Sequence, residues 1–147
     1  MKTRVAAIQM VSGAALAGNL QAAGLLIAAA AADGARLVAL PENFYLIGHH
    51  EADKVKLRER DGTGPIQEFL AEAARRHGVW LVGGTAPIQT QDPSRILSAS
   101  LVFDDSGRRV ARTSRILSVS IWAATTPSPS GSTPSTSPHG STIMVWP

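Results

Sequence analysis

Glu42 is the side chain in this sequence best placed to do chemistry. It follows Leu37-Val38-Ala39-Leu40-Pro41, four apolar residues stopped by a proline, and precedes Asn43-Phe44. A short apolar run ended by proline reads as a strand buried on both faces. In open α/β sheets, ligands and reacting groups gather just beyond the carboxyl ends of such strands. A carboxylate there could act as a general base. On spacing alone Glu42 could equally cap the next segment or pair with an arginine, the ordinary fate of a loop carboxylate.

Other chemistries are less well supported. The sequence has no cysteine, which excludes disulfides, thiolate metal sites and a cysteine nucleophile together. His49 and His50 stand beside Glu51 and Asp53, but adjacent histidines on a helix point about 100° apart and no histidine follows at i+4, so they read as solvated surface. Gly62-Thr63-Gly64-Pro65 could cradle a phosphate, yet no strand directly precedes it and no Lys-Ser/Thr follows. It reads instead as the start of a helix. Fourteen Lys and Arg against 11 Asp and Glu make a small excess that forms no basic stripe, so nucleic acid is not an expected partner. Lys2 and Arg4 precede a mostly apolar stretch, but Gln9, Asn19 and Gln21 interrupt it. Neither a secretory signal nor a membrane span fits, and a cytoplasmic protein is expected.

At 147 residues the chain has room for one ordinary domain. A first strand is expected over Arg4 to Met10, with Ser12-Gly13 able to cap a helix from about Ala14 to Ala32, whose Leu16, Leu20, Ala23, Ile27 and Ala31 form one apolar stripe. Asp33-Gly34 stops that helix. A strand–helix–strand unit of this length implies parallel pairing with a right-handed crossover. The charged stretch His50 to Arg60 reads as an exposed helix near the site mouth. From Pro65, Ile66, Phe69, Leu70, Ala73 and Ala74 share a face, and Arg75, Arg76 and His77 suit the carboxyl end before Gly78. Val79 to Thr85 reads as a third strand whose paired glycines allow close backbone approach. A loop through Gln91-Asp92-Pro93 leads to a fourth strand, Ile96 to Phe103, which Asp104-Asp105-Ser106-Gly107 turns back as a hairpin into Arg108 to Arg112.

Taken together, the strand ending Ala7-Ile8-Gln9-Met10, the helix carrying Asn19, Leu40-Pro41-Glu42-Asn43, Gly62-Thr63-Gly64-Pro65 and Val82-Gly83-Gly84-Thr85 resemble the carbon–nitrogen hydrolase (nitrilase) superfamily over roughly residues 3 to 112. The Phe44-Tyr45-Leu46-Ile47-Gly48 continuation and Asp61 to Gln67 look most like members acting on ω-amides and deaminated glutathione. The resemblance implies an α/β fold, the N-terminal portion of an α-β-β-α sandwich with helices outside two stacked sheets. It also implies hydrolysis of small amides or nitriles with ammonia release, by thiolate attack assisted by a glutamate base and a lysine that stabilises the oxyanion. Glu42 matches the base. Arg115 stands where the lysine is expected, with a different shape and no capacity to share its protons. No cofactor or metal is implied; the partners implied are the small substrate and, in the family, further copies in a homo-oligomer.

From Thr113 the composition changes. Residues 113–147 contain no Asp, Glu or Lys, a single Arg and five of the nine prolines. The expected organisation is a truncated hydrolase domain over 1–112 and a disordered Ser/Thr/Pro-rich tail over 113–147. The tail composition also fits high-GC coding sequence read out of frame. Without a cysteine the chain is expected to be inactive, and the alternative is a non-catalytic fragment that pairs with an intact homologue.

Overall fold

The computed structural model describes residues 2–50, 52–93, 95–116, 135–136 and 141–146. The amino-terminal half is built as the hydrophobic pattern requires. β1 (Val5–Gln9) leads into α1 (Leu16–Ala32) and then β2 (Leu37–Ala39), and β1 and β2 pair in parallel with Val5 opposite Leu37. α1 starts without a side-chain cap; the Ser12 hydroxyl, expected at that cap, donates instead to the Phe44 carbonyl at 3.0 Å. α2 (Ala52–Lys56) is one short turn, and α3 (Pro65–His77) follows with proline in its first turn and Gly78 in the left-handed conformation at its end.

β3 (Trp80–Val82) extends the parallel set, pairing with β2. β4 (Ala86–Gln89) lies where a loop is expected, and β5 (Ile96–Phe103) matches its expected bounds. β3 and β4 act as one strand broken at Gly83–Thr85, because β3 pairs with the distal end of β5 and β4 with its proximal end. β6 (Arg109–Ile116) pairs along the other edge of β5. The turn between them is organised by Asp104, whose carboxylate accepts from the Ser106 hydroxyl and from the main-chain N–H groups of Ser106 and Arg108. The Ser106 hydroxyl is the main cause that holds this carboxyl down at about 2. β7 (Ser135–Thr136) and β8 (Thr142–Trp146) complete an eight-stranded mixed sheet, with β8 antiparallel to β1.

Three parts of the segment expected to be disordered are therefore strands. Residues 113–116 continue β6, 135–136 form β7 and 142–146 form β8. Composition averaged over residues 113–147 conceals the local run Ile143-Met144-Val145-Trp146, which is apolar enough to pair. Residues 117–134 and 137–140 lie outside the described residues.

α1 and α3 pack against each other and against one face of the sheet. Ala6, Ile8, Val38, Leu81, Ala99 and Leu101 supply that face, meeting Ala23, Ile27 and Ala30 of α1 and Ile66, Leu70 and Ala74 of α3. This is the α/β fold expected, one helix-covered sheet among the described residues. Alternation sends Ser98 and Ser100 of β5 to the opposite face. Among the described residues no helix is long and apolar enough to cross a membrane.

The charged stretch His50 to Arg60 departs from the exposed helix expected of it. Among its described residues only Ala52–Lys56 are helical, and Glu59 is 5% exposed. Its carboxylate accepts from the Ile66 and Gln67 main-chain N–H groups, at 2.5 and 3.2 Å, and from the Gln67 side chain at 3.1 Å. Those are unpaired donors of the first turn of α3, and a negative charge is favoured there. Gly64 makes this possible, since a Cβ at that position would lie 2.5 Å from the Glu59 carboxyl carbon.

Candidate functional site

Glu42 lies where the apolar run and proline place it, just past β2, and β2 sits between β1 and β3 inside the sheet. Its position is set by main-chain contacts. Leu40 N–H donates to the Val82 carbonyl at 2.9 Å, and Thr85 N–H donates to the Glu42 carbonyl at 3.0 Å. The Thr85 hydroxyl donates to the same carbonyl. Between them Gly84, at φ +52°, passes so close to Pro41 that a Cβ would fall 2.1 Å from the Pro41 carbonyl oxygen. The paired glycines thus do what their type suggests, with the neighbouring loop as the thing approached.

The other side of the Glu42 loop is tied to the loop after β1. Asn19, 6% exposed, accepts from Gly13 N–H and donates to the carbonyls of Gly13 and Tyr45, all at 2.8 Å. Ile47 N–H donates to the Gly13 carbonyl at 3.1 Å. From the α2 side, Lys54 donates to the Asn43 side chain at 3.0 Å. Tyr45 is buried, and burial, reinforced by the Glu42 carboxylate, pushes its phenol above the ordinary tyrosine range.

Glu42, Thr85 and Arg115 line one cavity of about 360 Å³. The hairpin supplies Ser98 and Ser100 from β5 and Thr113 and Ser114 from β6. Ser98 is the direct cross-strand partner of Arg115, and Ser100 that of Thr113, so these four side chains stand together on one face of the hairpin. The structure therefore brings both expected site residues to a single pocket. Among the described residues no ion pair joins Glu42 to Arg115. The hydroxyl lining was not singled out in the sequence. Its signal was the Ser98-x-Ser100 spacing inside an otherwise apolar strand, which marks a polar stripe on one face.

β6 is held in place from behind. Asp61 pairs with both Arg109 and Arg112, and the Arg109 hydrogen bond is the main cause that keeps its carboxyl below the usual carboxylate range. Asp61 begins the Asp61-Gly62-Thr63-Gly64-Pro65 segment, so the turn into α3 also anchors the strand that carries Arg115.

The fold and site define an α/β protein with a carboxylate beyond a central parallel strand and a cation lining the same pocket. The carbon-nitrogen hydrolase profile matches residues 4–141. The chain is 38% identical over 84 residues to a deaminated glutathione amidase of Yersinia enterocolitica, covering 56% of this chain and 29% of that protein. It is 32% identical over 109 residues to omega-amidase NIT2 of Danio rerio, covering 72% and 37%. The crystal structure of Saccharomyces cerevisiae Nit3, a member of branch 10 of the nitrilase superfamily, superposes with a TM-score of 0.67 at 24% identity, over 77% of this chain and 44% of that one. The chain belongs to the carbon-nitrogen hydrolase family. It spans 29% and 37% of the two curated relatives, about a third of their length.

Proposed function

We propose that this chain is the base-bearing part of an amidase-type carbon-nitrogen hydrolase, with Glu42 as general base and Arg115 at the place of the family's lysine. The observation that carries the reading is that Glu42 and Arg115, far apart in sequence, line the same cavity. Its volume of about 360 Å³ suits a small amide or nitrile. The relatives named for amidase activity support the amide over the nitrile. Glu42 would take a proton from the attacking group, and Arg115 would face the charge that develops on the carbonyl oxygen.

The 147 residues contain no cysteine, and covalent amide hydrolysis by thiolate attack cannot run without one. The serine and threonine hydroxyls of the cavity are weak nucleophiles at their free pKa. The reading is therefore of a stretch that is inactive by itself, set in the cytoplasm, with no nucleic-acid or membrane partner and with self-association as in the family. The test is ammonia release from butyramide by the purified chain. No release above a buffer control is expected; release that disappears in Glu42→Gln would overturn the inactivity.

A further inference from the structure

The lining of the cavity is uneven in its hydrogen-bonding character. At the hairpin end, the Arg115 guanidinium offers only donors, and the hydroxyls of Ser98, Ser100 and Thr113 stand around it. Among the described residues no carboxylate pairs with Arg115, whereas Arg109 and Arg112 on the same strand are both taken by Asp61. A carboxylate ligand presents two acceptor oxygens and no donor, which matches this end of the pocket. The planar fork of arginine engages such a group through two parallel bonds. A neutral primary amide matches it less well, because it offers the guanidinium one uncharged carbonyl oxygen in place of two charged ones, and its NH₂ group finds acceptors only in the hydroxyls. Elsewhere in the lining Glu42 is an acceptor and a negative charge. It would repel a second carboxylate.

We propose that this pocket binds small monocarboxylates in preference to the corresponding neutral amides, with Arg115 as the specificity-determining residue. The proposal rests on reading the Glu42–Arg115 cavity as the reacting pocket of the family, and it makes this chain a receptor for the acid that amide hydrolysis yields. The substitution of arginine at the lysine position is then a change of ligand class, since a flexible ammonium cannot hold a carboxylate in the same two-point fashion.

The experiment is a titration of the full chain, followed by ¹H–¹⁵N chemical shifts, with butyrate and with butyramide. Butyrate is expected to bind about tenfold more tightly than butyramide, the factor one charge-assisted hydrogen-bond pair supplies. Arg115 is exposed, so Arg115→Gln should fold, and it should bring butyrate down to the affinity of butyramide. Arg115→Lys should recover part of the difference. Glu42→Gln should tighten butyrate binding by about two- to threefold, because it removes a like charge from the same cavity. Equal binding of acid and amide, or a preference for butyrate that survives Arg115→Gln, overturns the proposal. If butyrate binding is weakened by neither Arg115→Gln nor altered by Glu42→Gln, the pocket reading fails as well; if Glu42→Gln alone changes it, that reading stands without the carboxylate preference.

Discussion

Glu42 and Arg115 line one cavity, yet the parts of the fold that present them are built by different means. The Glu42 wall is fixed by main chain: three loops exchange backbone hydrogen bonds around it, Gly84 touches the Pro41 carbonyl, and buried Asn19 ties two of the loops together. Among the described residues, the strand that carries Arg115 is held by one neighbour, β5, and by the exposed Asp61 clamp. Perturbing the first should cost stability; perturbing the second should change what binds.

The largest effect should come from Gly84→Ala. The added Cβ has no room against the Pro41 carbonyl oxygen and the backbone is in the left-handed region, so a loss of about 3 kcal/mol is expected in a urea titration. A loss below about 1 kcal/mol would mean that the Glu42 wall yields as readily as the other. Asn19→Ala should follow, at about 2 kcal/mol, because it leaves the Gly13 N–H and the Tyr45 carbonyl without their side-chain partner, the Gly13 carbonyl keeping the Ile47 N–H.

On the Arg115 side, Asp61→Asn should cost less than about 1 kcal/mol, since its pairs are solvent-screened. Asp61 has a depressed folded pKa, so its contribution is present above the unfolded carboxylate value near pH 4 and is lost as the pH falls through the lower folded value. Thermal melts of the wild type and Asp61→Asn should therefore converge in acid. An equal gap at low and neutral pH would show that the clamp acts through shape alone.

The smallest effect on stability is expected for Glu42→Gln, and its readout is spectroscopic. Tyr45 is the single tyrosine of the sequence, so absorbance at the tyrosinate band reports it alone. Its raised pKa means that the neutral phenol is favoured by the fold, a contribution complete below the unfolded value of about 10 and lost as the pH rises toward the folded one. Replacing the carboxylate should move tyrosinate formation to lower pH by a small step, burial remaining the main cause. No movement would place Glu42 away from the phenol.

The same contrast decides what could be read from the sequence. Glu42 was legible because a strand interior and its end are local signals, an apolar run and a proline. α3 and the β5–β6 hairpin were legible for the same reason: a helical period with Pro65 and Gly78 at its ends, and a turn at Asp104 to Gly107. β4 was missed because Pro87 in a four-residue run argues against a strand, although its carbonyl accepts the Glu59 N–H. The burial of Glu59 was missed because a charged stretch reads as surface. Its partner is a helix terminus seven residues on, a tertiary fact that only Gly64 hinted at. The polar lining around Arg115 depends on cross-strand register, which no single strand records.

The placement of arginine along β6 also bears on solubility. No described strand pairs with the outer edge of β6, and an open strand edge is a template for joining another chain. Arg109, Arg112 and Arg115 recur along that strand, so two copies brought edge to edge set like charges against like. That repulsion weakens as salt screens it. Among the described residues, an open edge that carries these arginines is thus guarded against joining another chain by the same residue type that lines the pocket, and a carboxylate seated on Arg115 would neutralise part of the guard.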